Sequence, residues 1–277
     1  MAVITISRGV KSGGEELAEL LSERLGYDTI NREVISECSR KYNIIKSDLL
    51  DELEETPGLW HRLTREHGRQ LIYIKCALLN AIKQDNIIYY GHAGQLFLAG
   101  ISNVLKLRLE APREERIQAV MNELNKEYDE AVEYINDVDK HRSRWVKLLY
   151  DEDWHDPSLY DLVINSQNMS RDTICDLVVT AVKSKGFQTT EKSIRRLNNI
   201  SLECEVKAAI ATDDKIWDQP ITVVCDDGVV TLRGTVKNKG MRDMIAETVS
   251  QVKGVKSCDV RIGLTSDPIP KGKYDHE

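Results

Sequence analysis

Through its first 182 residues the chain alternates short runs of β-branched and long apolar residues with longer stretches of helical spacing. That alternation restricts it to an α/β fold, a parallel sheet covered by helices on both faces. The apolar runs cover 3–7, 87–90, 104–109 and 160–165, and polar helical stretches cover 65–83, 113–125 and 129–150. After the first run comes a glycine-bearing turn, and then Leu17, Leu20, Leu21 and Leu25 recur on one helical face. Pro112 suits the first turn of a helix that follows the strand ending at Leu109, and Ser170 suits the cap of a last helix through Val182.

Past this point the pattern changes in kind. Residues 183–190 carry no apolar period, so domains are expected over 1–185 and 199–265, with 186–198 as the linker and 266–277 as an unordered tail. In the second domain Leu202, Val206, Ala209 and Ile210 fit one helix. Ile221, Val223 and Cys225 alternate up to the turn Asp226-Asp227-Gly228, and Val230, Leu232, Gly234 and Val236 alternate after it, which is a hairpin. A second helix carries Met241, Met244, Ile245, Val249 and Val252, and Cys258, Val260, Ile262 and Leu264 alternate as a third strand. The expected order is α-β-β-α-β.

Charge excludes some functions. The 38 Lys+Arg against 45 Asp+Glu give a formal net charge of −7, too acidic for a protein that coats nucleic acid. From residue 190 on there are 14 basic and 14 acidic side chains, so the whole excess of acid lies in the first domain. No apolar run approaches the roughly 20 residues of a membrane span, and MAVITISRG lacks the basic head of a signal peptide, so a cytoplasmic address is expected. The six cysteines form no C-x-x-C pair or zinc spacing and read as thiols.

The chemistry concentrates in the turn after the first strand, Ile4-Thr5-Ile6-Ser7-Arg8-Gly9-Val10-Lys11-Ser12-Gly13-Gly14-Glu15-Glu16-Leu17. Backbone N–H groups of such a turn converge on an anion, the helix N-terminus adds its positive end, and Arg8 and Lys11 add full charges. The pattern G-x-x-x-x-G-K-[ST] is not matched, because Gly14 stands where its lysine would be and Glu15 where its Ser/Thr would be.

The stretch resembles the opening of the cytidylate kinase-like family, whose loop runs I-x-I-S-R-x-x-G-S-G-G; Ile4, Ile6, Ser7, Arg8, Ser12, Gly13 and Gly14 carry the match. Lys11 occupies the place of that loop's first glycine, where it either returns a lysine to the phosphates or obstructs the cradle. Further segments continue the resemblance to about residue 185. Leu25-Gly26-Tyr27 with Asn31-Arg32-Glu33 is similar to L-G-Y and D-[RK]-E, with Asn31 for the acid. Ile87 through Gly94 is similar to a buried strand ending in G-R-G, with His92 for the arginine. Leu107 through Arg116 is similar to V-R-L-x-A-P-x-E-x-R, Asp139 to Arg142 to the D-x-x-R of a lid, and 153–165 to the closing strand.

The resemblance implies a P-loop nucleoside monophosphate kinase fold with a helical lid, ATP and Mg2+ as cofactors, and CMP or dCMP as acceptor. It implies that Arg8, Lys11, Ser12, Gly13 and Gly14 hold the donor phosphates. Arg142, with Arg144 and Arg8, would meet the transferring phosphoryl, and Arg32, Gly91, His92 and Asp139 would face the acceptor. Read without it, Asp139 and Arg142 are an i,i+3 ion pair on a solvated face. Asp137 and Asp139 point apart at i,i+2, and no metal-ligand set is expected.

The second domain resembles a BON domain in Val206-Lys207-Ala208-Ala209, in 227–236 with its G-x-V-x-L-x-G-x-V core, and in Val252-Lys253-Gly254-Val255. That implies a phospholipid, ligand or protein partner, with Lys237, Lys239, Arg242, Lys253 and Lys256 as a basic edge or as a dispersed solvated surface. Three functions are therefore expected to compete: a kinase, a nucleotide sensor without turnover because Gly14, Glu15, Asn31 and His92 depart from the pattern, and a scaffold for membrane association.

Overall fold

The computed structural model describes residues 2–31 and 65–265, so Arg32 and the expected tail 266–277 lie outside the described residues. The chain divides into two compact units, Met1–Leu197 and Asn198–Glu277.

The first unit holds a five-stranded parallel sheet. In chain order its elements are β1 (Val3–Arg8), α1 (Gly14–Leu25), β2 (Asp28–Ile30), α2 (Arg65–Ala81), β3 (Ile87–Tyr89), the single turn α3 (Gly94–Phe97), β4 (Val104–Glu110), α4 (Arg113–Leu124), α5 (Tyr128–Tyr150), β5 (Leu162–Asn165) and α6 (Arg171–Val182). The strand order β2-β3-β1-β4-β5 puts β1 at the centre, with Val3 opposite both Ile87 and Val104. Because β3 and β4 flank β1, the crevice of the sheet opens at the carboxyl end of β1, where the glycine-bearing turn begins.

One face of the sheet buries Ile4, Ile6, Leu105 and Leu107 against Leu17 and Leu21 of α1 and Ile174 and Val178 of α6. Each such side chain contributes roughly 1.5–3 kcal/mol by leaving water. Helices α4 and α5 pack on each other through Ile117, Val120, Ala131, Ile135 and Val138, and Val10 of the turn joins that cluster. The turn is thereby anchored in the seam between two helices.

In the second unit β6 (Ile221–Asp226) and β7 (Val229–Val236) form the expected hairpin, and Asp227 and Gly228 both take positive φ, 48° and 83°, as a two-residue turn requires. After α8 (Lys239–Ser250), β8 (Ser257–Leu264) returns parallel to β7. Val223, Cys225, Val230, Leu232 and Ile262 bury one sheet face against Ile245 and Val249. Outside the core, Lys256 pairs with Asp227 at 3.2 Å, which takes one lysine of the expected basic edge into an ion pair.

Two details differ from the sequence reading. Strand β2 was not legible, because Asp28-Thr29-Ile30 is three residues long with only Ile30 buried. Helix α7 (Glu191–Ala211) begins inside the expected linker 186–198, and the compact units meet between Leu197 and Asn198, within it. Its start is fixed by reciprocal bonds, Thr190 N–H to Ser193 Oγ at 2.9 Å and Ser193 N–H to Thr190 Oγ1 at 3.1 Å, a polar cap that an apolar period cannot reveal. Cys175, Cys225 and Cys258 are free, as thiols. Among the described residues no helix is long and apolar enough to cross a membrane.

Candidate functional site

The turn between β1 and α1 forms one wall of a cavity of about 490 Å³. Gly13 takes a left-handed conformation, φ 78°, and Gly14 opens α1, so the unbonded N–H groups of the helix's first turn face the cavity side. A Cβ at Gly14 would lie 2.0 Å from Cδ of Arg8, so only glycine there lets the Arg8 side chain cross the mouth of the helix. Ser12 is 4% exposed, and its Oγ is buried without a hydrogen-bond partner. An unsatisfied hydroxyl in a cavity wall, beside Arg8 and a helix N-terminus, fits an anionic ligand.

Lys11 also lines the cavity, at φ 54°, and its ammonium bonds to Glu123 of α4. The backbone at Lys11 is left-handed, and the side chain reaches sideways to an acid. Arg171, the first residue of α6, also lines the cavity; it bonds to Glu16 at 3.5 Å, and its guanidinium would stand 3.6 Å from a Cβ at Gly13. Sequence reading did not single out Arg171, whose only signal was its place just after the Ser170 cap.

Helix α5 comes down onto the same turn. Arg142 is 4% exposed and its Nη1 donates to the Arg8 carbonyl at 3.1 Å, whereas Arg144, two residues on, is exposed. A two-residue step in a helix turns the side chain away, so Arg8 and Arg142 meet and Arg144 does not join them. Asp139 does not stand free for a substrate: it accepts the Val10 N–H at 3.2 Å and bonds to Arg116 of α4.

Gly91 and His92 form the turn after β3, where Tyr89 Oη donates to the His92 carbonyl at 3.1 Å. The imidazole lies edge-on to Trp145 of α5 and to Trp154, with ring centroids 5.0 and 5.8 Å apart. Burial, and then the positive charges of Arg142 and Arg8, hold its pKa well below the usual histidine value, so it is neutral at pH 7. Its Nε2 is buried without a hydrogen-bond partner. Asn31 donates to Tyr90 Oη at 3.4 Å, and that hydroxyl donates to Glu15 at 3.4 Å, so two departures from the family pattern share one chain of contacts.

Behind the turn a buried polar network fixes the end of β1. Trp154 Nε1 donates to Ser7 Oγ at 3.0 Å, and Gln95 Nε2 donates to Tyr160 Oη at 3.1 Å. Arg108, 3% exposed, lies over the Trp154 ring at 4.5 Å and contacts His155 Nδ1 at 2.9 Å. Among the described residues no group of three or more His, Cys, Asp or Glu could hold a metal ion.

The model of the cytidylate kinase-like family matches residues 3–168, and that of the BON domain matches residues 201–263. A cytidylate kinase of Sulfurisphaera tokodaii is 27% identical over 177 residues, covering 64% of this chain and 92% of the relative. A cytidylate kinase of Thermococcus kodakarensis is 28% identical over 183 residues, covering 65% and 87%. A solved shikimate kinase from Acinetobacter baumannii, in complex with shikimate, is 13% identical and covers 68% of this chain and 96% of its own, with a TM-score of 0.40.

Proposed function

The chain belongs to the cytidylate kinase-like family, and from that premise we propose that it transfers the γ-phosphoryl group of ATP to a nucleoside monophosphate, CMP or dCMP. The observation that carries the reading is the meeting of Arg8, the buried Arg142 and the unpartnered Ser12 hydroxyl at one glycine-bearing turn. Phosphoryl transfer asks a protein mainly to position two substrates and to neutralise charge on the moving group, and these are the groups for it.

In this reading the turn's N–H groups and Ser12 Oγ hold the donor phosphates, Arg8 orients them, and Arg142 neutralises the oxygens of the transferring group. Arg171, beside Gly13, supplies a further cation to the donor. The turn at Gly91 and His92 faces the acceptor, where a neutral imidazole offers a hydrogen-bond acceptor instead of a charge. Arg32 is proposed as an acceptor-phosphate ligand from the family pattern alone. Mg2+, when bound with ATP, offsets the charge of the donor phosphates; with few protein ligands it is held chiefly by phosphates and water.

A second reading keeps nucleotide binding and drops turnover. It is favoured by the engagement of Lys11 with Glu123 and of Asp139 with the turn, which removes both from the substrates. For the BON domain we propose association with an anionic membrane or a protein partner, tested by salt-sensitive sedimentation of the full-length protein with anionic vesicles.

Release of ADP from MgATP in the presence of CMP, dCMP, UMP or AMP in turn separates the readings. Release that depends on CMP or dCMP is expected. A thermal shift with ATP but no release with any acceptor would select the sensor.

A further inference from the structure

Val10, in the middle of the turn, has both of its backbone polar groups taken by side chains from two different helices. Its carbonyl accepts from Arg116 Nε of α4 at 2.7 Å, and its N–H donates to Asp139 of α5 at 3.2 Å. The circuit closes on itself, because Arg116 Nη2 also bonds to the second oxygen of Asp139. Arg116 is 9% exposed, and its guanidinium lies flat over Gly9, where a Cβ would stand 2.8 Å from Cζ. The Val10 side chain is itself buried in the α4–α5 seam.

We propose that Arg116 is a positioning residue for the phosphate-binding turn: with Asp139 it clamps the backbone of Val10, holding the turn in its anion-ready shape and fastening the lid helix to it. This rests on the nucleotide-binding reading above. A turn that must present several N–H groups to one anion loses affinity if its backbone is free beforehand, since binding must then also order it. The need is greater here, because Lys11 sits in a left-handed conformation that costs a non-glycine residue energy, so the neighbouring backbone must be held by other contacts. Asp139 and Arg142 lie one helical turn apart on α5, so the clamp also fixes the height at which Arg142 meets Arg8.

The clamp needs a planar fork. Lysine at 116 can reach either Val10 or Asp139 but not both, and asparagine at 139 preserves shape while removing the charge. The test uses the full-length protein, with isothermal titration of ATP and of inorganic tripolyphosphate, a probe of the turn alone. Arg116→Lys and Asp139→Asn are each expected to weaken tripolyphosphate binding about tenfold. The double variant should be no weaker than either, because each single change already opens the circuit. In turnover assays Arg116→Lys should raise KM for ATP while leaving kcat within about twofold. Wild-type protein that binds neither ATP nor tripolyphosphate overturns the nucleotide reading itself. Wild-type protein that binds both, with the single variants binding equally well or with losses that simply add, overturns the clamp alone.

Discussion

Arg142 on the lid helix donates to the backbone carbonyl of Arg8 at 3.1 Å, so the two arginines that the proposed chemistry needs are joined before any substrate arrives. In the proposed function, replacing Arg142 by alanine removes the donor that would neutralise the moving phosphoryl. Turnover is expected to fall about 10²–10³-fold, with ATP affinity changed far less. Steady-state kinetics beside direct ATP titration checks the split.

Glu123 engages the Lys11 ammonium, and both side chains line the cavity. With the pair partly exposed, its worth is about 0.2–1 kcal/mol. Glu123→Gln should therefore release Lys11 and tighten ATP binding by up to about fivefold, read as a lower Kd by titration, and Lys11→Ala should cancel that gain. Unchanged or weaker binding in Glu123→Gln would mean that Lys11 has no part in holding phosphate.

Gly14 is a packing requirement for Arg8. Alanine is the better helix former at that position, so Gly14→Ala should leave the melting temperature within a few degrees. Its Cβ must displace the Arg8 side chain, and KM for ATP should rise about tenfold if that side chain holds donor phosphate. A melting curve and a KM measurement on the same preparation decide it.

His92 gives a pH dependence whose sign follows from its depressed pKa. Above about pH 6.5 the imidazole is neutral in folded and unfolded chains alike. As pH falls below that value the unfolded chain takes up the proton and the folded one does not. Stability is therefore lost with falling pH, at up to about 1.4 kcal/mol per pH unit from this one group. Chemical denaturation between pH 7 and 5 should show that slope in the wild type and a shallower one in His92→Gln. Equal slopes would show that His92 titrates normally in the folded state.

What the sequence disclosed follows the range of each signal. Ile4 and Ile6, and Leu105 and Leu107, write the buried strands directly into the chain as apolar runs, and the glycine turn with Arg8 and Ser12 announces an anion site because its parts are consecutive. Glu123 and Arg171 carry no such local mark, and the segment pattern that includes Arg116 does not tell what its side chain meets. Their relation to the turn exists only after α4 and α6 have packed against it. The partners of Asp139 were equally hidden, since Val10 and Arg116 lie 129 and 23 residues away. Arg144 shows the limit of reading arginines as a pair, since a helix separates side chains two residues apart.

Transfer of phosphoryl from ATP to a pyrimidine nucleoside monophosphate, as proposed, is decided by the identity of the product. Full-length protein with MgATP and CMP, followed by ³¹P NMR, should yield CDP and ADP in equal amounts, with no inorganic phosphate. ADP accompanied by inorganic phosphate and no CDP, or no ADP at all from folded protein, would contradict it.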